Sequence, residues 1–322
     1  MRYLVTGGAG FIGSSIVRQL LAQGEDVVVL DDFSTGKPGN LAGLTGSLKV
    51  IQGSLLDEDA LAEALSGVTF VLHEAAIASV PRSFADPLET LRVNSEGTLR
   101  LFLAARAQEV RRVVVASSAA VYGDEPTLPK TEELTPAPIS PYALSKLDAE
   151  HLGAIFTRDL GLEVVCLRYF NVYGPRQDPH SGYAAAVPSF VTRLLAGEPP
   201  TVYGDGGQTR DFCYVADVAR ANLLACTAPG AAGQVCNVAG GQAVDLLTLI
   251  AAIDQAVGTG LAPRFAPARV GDIRHSWAAT TRAASLLGWR PETDLVAGLA
   301  RTVAWYREQP SPEHTPPAVG ER

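Results

Sequence analysis

The sequence predicts an α/β fold, with a doubly wound parallel sheet and a smaller mixed α/β domain beside it. Three observations carry this prediction: a glycine-rich turn at residues 7–13, an alternation of apolar runs with helical patterns up to about residue 168, and the loss of that alternation further on. With 322 residues, the chain is long enough for one large domain and a smaller one.

The glycine-rich turn lies between a short apolar run, Tyr3 to Val5, and apolar residues that recur at helical spacing until Gly24. The first two glycines permit a tight turn and close backbone approach, and Gly13 lets the helix pack on the strand. The N–H groups at the start of such a helix can hold a pyrophosphate. The pattern is typical of a dinucleotide-binding Rossmann turn, although its spacing is GxxGxxG. It predicts cofactor contacts at Gly7, Gly10, Phe11, Ile12 and Gly13.

Two acidic residues, Asp31 and Asp32, end the second apolar run, "DVVVLDD". A carboxylate at this place can accept hydrogen bonds from the hydroxyls of the adenosine ribose and would repel a 2′-phosphate. The sequence therefore favours NAD over NADP. The alternative is an ordinary solvated turn.

A tyrosine and a lysine, Tyr142 and Lys146, stand four residues apart in "SPYALSKLDAEHL". On a helix this spacing places both side chains on one face. The ammonium group favours phenolate over phenol, so the pKa of Tyr142 is expected to fall towards neutral pH, as a general base requires. Alone, the pair is also typical of a solvated helix face.

Together, "GGAGFIG" at residues 7–13 and "YALSK" at residues 142–146 resemble the extended short-chain dehydrogenase/reductase family. The resemblance extends to about residue 307, and the most similar members are the UDP-glucose (UDP-galactose) 4-epimerases. It implies NAD as the cofactor and a UDP-sugar as the substrate. Ser118, which follows the fifth predicted strand, would complete a catalytic triad with Tyr142 and Lys146, and both members of that pair would also contact the cofactor.

The resemblance implies further contacts. The cofactor would be held by the backbone of Leu55, by the small residues Ala75 and Ala76, and by Asn94 and Tyr169. Arg176, Arg210 and Arg269 would bind a diphosphate, although loop arginines are otherwise usually solvated. The substrate would be contacted by Ser118, Tyr142, Asn171, Arg176, Val187, Tyr203, Arg210, Arg269 and Asp272.

The residues that follow Ser118 separate the possible reactions. Ala119 and Ala120 cannot exchange protons, whereas the related dehydratases and decarboxylases carry acids there. Reversible oxidation at C4 of the hexose therefore remains. Ser276, in "GDIRHSW", stands where some members place a tyrosine, so we expect room for an N-acetyl group. UDP-glucuronate 4-epimerisation is the alternative, and a dehydratase, a decarboxylase or a non-catalytic NAD-sensing protein is less favoured.

Composition and charge exclude several classes of protein. The formal charge of −8 and the pI near 5.2 argue against nucleic acid and anionic membranes as partners. No apolar run reaches membrane-spanning length, and we expect a cytoplasmic protein with four reduced cysteines. The five histidines lack ligand spacing, so no metal is predicted.

We also predict how the chain is organised. Residues 1–168 plus about 210–239 should form the NAD-binding domain, about 169–209 plus 240–308 the nucleotide-sugar domain, and 309–322 a flexible tail. The segment from Pro87 to Val110 reads as a long helix that is apolar on most sides. It predicts a homodimer in which this helix and the Tyr142 helix form a four-helix bundle.

Overall fold

A computed structural model describes residues 1–179, 185–268 and 273–309 of the chain. Its strands, in chain order, are β1 (Arg2–Thr6), β2 (Asp26–Asp31), β3 (Leu48–Gln52), β4 (Phe70–His73), β5 (Arg112–Ser118), β6 (Glu163–Tyr169), β7 (Asn171–Tyr173), β8 (Thr201–Tyr203), β9 (Thr209–Arg210), β10 (Phe212–Tyr214), β11 (Val235–Val238), β12 (Val244–Asp245) and β13 (Arg264–Ala266). Its α-helices are α1 (Phe11–Ala22), α2 (Glu58–Leu65), α3 (Val80–Ala85), α4 (Pro87–Leu91), α5 (Gly97–Ala107), α6 (Pro141–Asp159), α7 (Ala186–Leu195), α8 (Val215–Thr227), α9 (Leu246–Val257), α10 (Thr281–Leu287) and α11 (Leu295–Glu308).

Seven parallel strands form the central sheet within the described ranges, in the order β11-β6-β5-β4-β1-β2-β3. The strand order reverses between β1 and β4, and ligands of doubly wound folds bind at the carboxyl ends of the strands beside such a point. The predicted fold is confirmed. The predicted strand in "GQVCNVAGG" is also present, and as β11 it returns to the main sheet beside β6.

The two faces of the sheet bury different side chains because successive residues of a strand point in opposite directions. On one face, Tyr3 and Val5 pack with Ile16 of α1 and with residues of α8. On the other face, Leu4 packs with apolar residues of α2, α5 and α6. Strands that are buried on both faces need continuous apolar runs. Such runs in the sequence are therefore what predicted the strands of the sheet.

A separate, smaller core lies outside the sheet. Helices α7, α9 and α11 contribute most of it, and Val202 of β8 and Tyr214 of β10 pack against them. The short strands form two-stranded pairs, β10 with β7, β12 with β9 and β13 with β8. The smaller mixed α/β part is therefore present, whereas its residue boundaries stay a prediction. The tail from residue 310 onward lies outside the described residues.

The long helix predicted from Pro87 to Val110 is interrupted by one wider turn. Helix α4 continues through a π-helical turn, Arg92–Glu96, into α5, which ends at Ala107. Such turns inside α-helices occur often at functional sites. This one contains the buried Asn94, whose amide donates to the Ile77 carbonyl and to the Ser145 hydroxyl of α6.

A buried ion pair joins α6 to the sheet. Two nitrogens of Arg168 on β6 contact the two carboxylate oxygens of Glu150 on α6, at 2.8 and 2.7 Å, and both side chains are only 4% exposed. The Ser117 hydroxyl of β5 donates to the same carboxylate. The Arg168 guanidinium lies 4.7 Å from the ring centroid of Tyr122. The pair therefore fixes α6 against β5 and β6.

We predict that Glu150→Gln lowers the free energy of unfolding by about 3 kcal/mol, because removing one charge of a buried pair leaves the other uncompensated. Urea unfolding measures this change. Asp159→Asn is the matched control, since it breaks an ion pair with Arg158 at the exposed end of the same helix. Equal unfolding midpoints for Glu150→Gln and the wild type would contradict the role given to the pair.

Candidate active site

The glycine-rich turn has the geometry that a bound pyrophosphate needs. Gly7 has a φ of +66°, and a Cβ added there would lie 2.8 Å from the Ala75 Cα. A Cβ on Gly13 would lie 2.2 Å from the Gly7 carbonyl oxygen. Helix α1 begins after Gly10 with no capping side chain and no acidic residue in its first turn. The N–H groups of that turn, at Phe11, Ile12 and Gly13, are therefore suited to an anion.

The two aspartates at the end of β2 differ in environment. Asp31 is buried, and its carboxylate accepts hydrogen bonds from the backbone N–H groups of Ala9 and Phe33, at 2.8 and 2.9 Å. Burial raises the pKa of Asp31. Asp32 is exposed and accepts one bond from the Ser34 N–H. Asp31 thus holds the glycine turn, while Asp32 remains accessible to a ligand.

The other predicted cofactor residues lie at or near the carboxyl edge of the sheet. Leu55 is buried in the core, so only its backbone could contact a ligand, and its contact with the cofactor stays a prediction. Ala75 and Ala76 lie two and three residues after the end of β4, and the Ala75 N–H donates to the Thr6 hydroxyl. The Asn94 amide is engaged with backbone and with Ser145, which the sequence did not indicate.

Ser118, Tyr142 and Lys146 come together at the ends of β5 and α6. Helix α6 begins at Pro141 because the Ser140 hydroxyl accepts a hydrogen bond from the Ala143 N–H and proline suits a first helical position. Tyr142 therefore lies in the first turn and Lys146 one turn later. The Ser118 hydroxyl lies close enough to the Tyr142 phenol to lower the pKa of that phenol. The Lys146 ammonium lies 5.9 Å from the Tyr142 ring centroid.

The expected lowering of the pKa of Tyr142 by Lys146 is not found in the structure. Burial raises the pKa of Tyr142, the Ser118 hydroxyl opposes this, and the negative charge of Glu74 raises the pKa further. The Lys146 ammonium instead donates to the Ala116 carbonyl of β5, at 2.8 Å. Burial lowers the pKa of Lys146 to about 8. The correction follows from burial, which disfavours every charged form and which helix spacing does not reveal.

Glu74 is a residue of this site that the sequence reading missed. It follows β4, and the Tyr169 phenol donates a 2.7 Å hydrogen bond to its carboxylate. The Asn222 amide of α8 donates to the same phenol oxygen, also at 2.7 Å. Burial raises the pKa of Glu74 to about 7. The signal was present in "LHEAA", where an acidic residue ends an otherwise apolar run.

The residues predicted to bind substrate are only partly brought together. Asn171 begins β7, which pairs with β10, and its amide donates to the Asp211 carbonyl beside Arg210. Val187 is buried in the smaller core, so it can offer only its backbone N–H in the first turn of α7. Tyr203, which ends β8, is 37% exposed. Arg269 and Asp272 lie outside the described residues.

Arg176 has a distinct environment. It adopts a φ of +71°, and burial together with the nearby Arg18 of α1 lowers its pKa to about 10. Its Nε has no hydrogen-bond partner in the described part of the protein. A desolvated guanidinium beside a second one is suited to binding an anion. The contact of Arg176 with a diphosphate stays a prediction.

The described residues give no support to a metal site or a membrane span. They contain no group of three or more histidine, cysteine or acidic residues that could hold a metal ion. None of the described helices combines the length and the apolar character needed to cross a bilayer. All four cysteines are free and buried.

Comparison with known proteins places this site in a family. The model of the NAD-dependent epimerase/dehydratase family matches residues 3–239. A UDP-glucose 4-epimerase of Mycolicibacterium smegmatis is 43% identical over 315 residues, which cover 96% of this chain and 99% of that protein.

Solved structures agree with this relationship. A UDP-N-acetylglucosamine 4-epimerase from Methanobrevibacter ruminantium, in complex with UDP-N-acetylmuramic acid, is 39% identical with a TM-score of 0.91, covering 95% of this chain and 98% of that one. A UDP-glucose 4-epimerase of Thermus thermophilus, in complex with NAD, is 40% identical with a TM-score of 0.86, covering 96% and 99%.

Proposed function

This chain belongs to the NAD-dependent epimerase/dehydratase family, and we propose that it is an NAD-dependent 4-epimerase that interconverts UDP-glucose and UDP-galactose. The observation that carries the proposal is the meeting of Ser118, Tyr142 and Lys146 at the carboxyl edge of the sheet that also carries the glycine-rich turn. The related epimerases span nearly the same length as this chain, which supports the same assignment.

The residues around the glycine-rich turn fit NAD. The first turn of α1 offers N–H groups to the pyrophosphate, and a Cβ at Gly7 or Gly13 would collide with the backbone that shapes this cradle. Asp32, with Asp31 behind it, offers a carboxylate to the ribose hydroxyls. When bound, NAD would supply the acceptor and then the donor of the hydride exchanged at C4 of the hexose.

The side chains of the chain supply the proton chemistry. Tyr142, as phenolate, takes the proton of the sugar 4-hydroxyl and later returns it to the C4 oxygen of the turned 4-keto sugar. The Ser118 hydroxyl, which lowers the pKa of the phenol, stabilises the phenolate and can relay that proton. Lys146 supplies positive charge behind Tyr142 while its ammonium is fixed on the Ala116 carbonyl.

The smaller core would hold the nucleotide and the sugar. We propose that Asn171, Arg176, Arg210, Arg269 and Asp272 bind the diphosphate and ribose, with Val187 and Tyr203 nearby. The uncapped first turn of α7, which contains Val187, supports an anion in its neighbourhood. The proposed domains follow the same separation. NAD would bind to residues 1–168 plus about 210–239, and the nucleotide sugar would bind to residues about 169–209 plus 240–308.

Other reactions of the same fold lack their residues here. Ala119 and Ala120, in the 3₁₀ turn directly after Ser118, offer no acid for elimination or decarboxylation. A non-catalytic NAD-sensing protein would not need the triad that this chain retains. UDP-glucuronate remains the alternative sugar for the same 4-epimerisation.

We predict that Tyr142→Phe lowers the rate of UDP-glucose conversion by about 100- to 10,000-fold, the range for loss of one acid–base group. NMR of UDP-glucose with the purified protein measures the appearance of galactose signals. Tyr3→Phe, which removes a phenol from the core beside Phe70, is the control and should keep the wild-type rate. A near-normal rate for Tyr142→Phe would refute the assignment of the base.

The sugar specificity is proposed from Ser276. The Ser276 N–H donates to the Thr209 carbonyl. Ser276 is small and stands where some members of the family place a tyrosine near the sugar 2-substituent. We predict turnover of UDP-N-acetylglucosamine by the wild type and its selective loss in Ser276→Tyr, with UDP-glucose turnover retained. Coupled assays of both sugars, and of UDP-glucuronate, measure this. Absence of wild-type activity on UDP-N-acetylglucosamine would defeat the inference.

We also propose the predicted homodimer. Large apolar side chains are exposed along the helices concerned, including Leu88 at 82%, Leu103 at 49% and Leu144 at 43%. Burying such a surface in a four-helix bundle would remove it from water. Leu103→Arg should therefore shift the sedimenting mass from dimer to monomer, while Val296→Arg, an exposed position on α11, should not. A monomeric wild type at micromolar concentration would remove the proposal.

A cytoplasmic location is proposed from cysteine usage. Cys166, Cys213, Cys226 and Cys236 are free and buried, and burial raises the pKa of each thiol, so they persist as unreactive core residues. This use of cysteine is typical of a reducing compartment.

A further inference from the structure

Asp211 is a fully buried carboxylate that lies outside the catalytic triad. Its side chain is 0% exposed. The Gly241 N–H donates to both carboxylate oxygens, at 3.0 and 3.2 Å, and the Ala278 N–H donates to one of them at 3.1 Å. An ionised carboxylate is only an acceptor, so it suits a place where backbone N–H groups converge. The side chain of Asp211 therefore joins its own segment to the turn after β11 and to the segment around Ala278.

The turn after β11 packs closely against Asp211. A Cβ added to Gly240 would lie 2.4 Å from the Phe212 carbonyl oxygen and 3.1 Å from a carboxylate oxygen of Asp211. Glycine allows this close approach because it has no side chain. Strand β11 itself belongs to the central sheet, where it pairs with β6. Asp211 is therefore anchored to the main sheet through this turn.

Two predicted substrate residues are attached to the backbone beside this carboxylate. Arg210 directly precedes Asp211, and the Asn171 amide donates to the Asp211 carbonyl at 3.2 Å. The Arg210 guanidinium donates to the Thr209 carbonyl at 2.8 Å, and the same carbonyl accepts the Ser276 N–H at 3.2 Å. Arg210 therefore lies between two residues, Thr209 and Asp211, that are both bonded to the segment that carries Ser276.

We propose that Asp211 is a positioning residue that holds Arg210 and Asn171, together with the segment of Ser276, in the arrangement that binds a nucleoside diphosphate. A guanidinium on a loose turn would have to be ordered when the ligand binds, and that ordering reduces affinity. Backbone hydrogen bonds to a buried carboxylate order the turn in advance. The inference rests on the proposed function only through the roles of Arg210 and Asn171 in substrate binding.

Asp217 of α8 provides a matched comparison. It is also buried, at 3% exposure, and its carboxylate accepts the N–H groups of Glu292 and Thr293 at 3.2 and 3.0 Å. It also forms an ion pair with Arg220. The bonds of Asp217 therefore join distant segments as those of Asp211 do, but none of its partners is a predicted substrate residue. A carboxylate that contributes to stability alone should behave as Asp217 does.

The first test is the affinity of the NAD-loaded protein for UDP, measured by isothermal titration calorimetry. In Asp211→Asn, one carboxylate oxygen is replaced by an amide NH2, which cannot accept a backbone N–H, so the Kd should rise about tenfold. Asp217→Asn should keep the wild-type Kd, although its urea unfolding midpoint should fall as that of Asp211→Asn does. Circular dichroism of the same samples shows which variants are folded.

Gly240→Ala is an independent variant that leaves the carboxylate intact. Because the added methyl group cannot stay 2.4 Å from the Phe212 carbonyl oxygen, the turn must move, and the bonds from Gly241 to Asp211 must lengthen. The Kd for UDP should therefore rise in this variant as well. The variant decides the question if Asp211→Asn does not fold.

The second test separates binding from chemistry. In Asp211→Asn, the KM for UDP-glucose should rise about tenfold while kcat stays within about twofold of the wild-type value, because an interaction that serves only binding is lost. The affinity for NAD should not change, since Asp211 is far along the chain from the glycine-rich turn and bonds to none of its residues. A purely structural defect would lower the amount of active protein, and with it kcat, without raising KM.

An unchanged Kd for UDP in the folded variants, or an equal rise in Asp217→Asn, would overturn the proposal. A wild type that binds UDP but does not interconvert UDP-glucose and UDP-galactose would refute the proposed function instead, and the calorimetric comparison would still decide the role of Asp211. A wild type that does not bind UDP would overturn both.

Discussion

The Glu150–Arg168 ion pair is the contact on which the position of the candidate catalytic groups depends. It fixes the middle of α6 on β6 with two hydrogen bonds, and the Ser117 hydroxyl adds a tie to β5. Tyr142 and Lys146 lie in the first two turns of the same helix. Because an α-helix is stiff over such a distance, fixing its middle fixes the place of the phenol and the ammonium relative to Ser118.

Burial then sets the chemistry of that place. It raises the pKa of Tyr142 and of Glu74 and lowers that of Lys146, so each group is moved away from its charged form. A charged form in such a site, the Lys146 ammonium or the Glu74 carboxylate, therefore needs polar partners. Fixed polar partners, the Ala116 carbonyl and the Tyr169 phenol, hold both charges in position.

Features with a local signature could be predicted from the sequence. The glycine spacing gave the turn between β1 and α1, and the Tyr142–Lys146 spacing placed both residues on one face of α6. Continuous apolar runs gave the strands, including β11, although it pairs with β6 more than sixty residues earlier in the chain. The resemblance to a known family supplied Ser118, which no local pattern distinguishes from a turn serine.

Features that depend on contacts between distant segments could not be predicted. Glu74 becomes part of the site only because β4 and β6 place it beside Tyr169, 95 residues further along the chain. The raised pKa of Tyr142 reflects burial, which only the assembled structure reveals. Likewise, the π-helical turn at Asn94 arises where the α4–α5 helix meets the Ile77 backbone and Ser145, segments that are separate in sequence.

The most direct measurement of the proposed chemistry is a crystal structure of the protein with NAD and a UDP-hexose bound. The phenol oxygen of Tyr142 is expected about 2.6–3.2 Å from the oxygen on C4 of the hexose, with the nicotinamide ring on the opposite side of the sugar. A phenol turned towards bulk water, with the hexose C4 beyond hydrogen-bonding reach, would contradict the assignment of Tyr142 as the base.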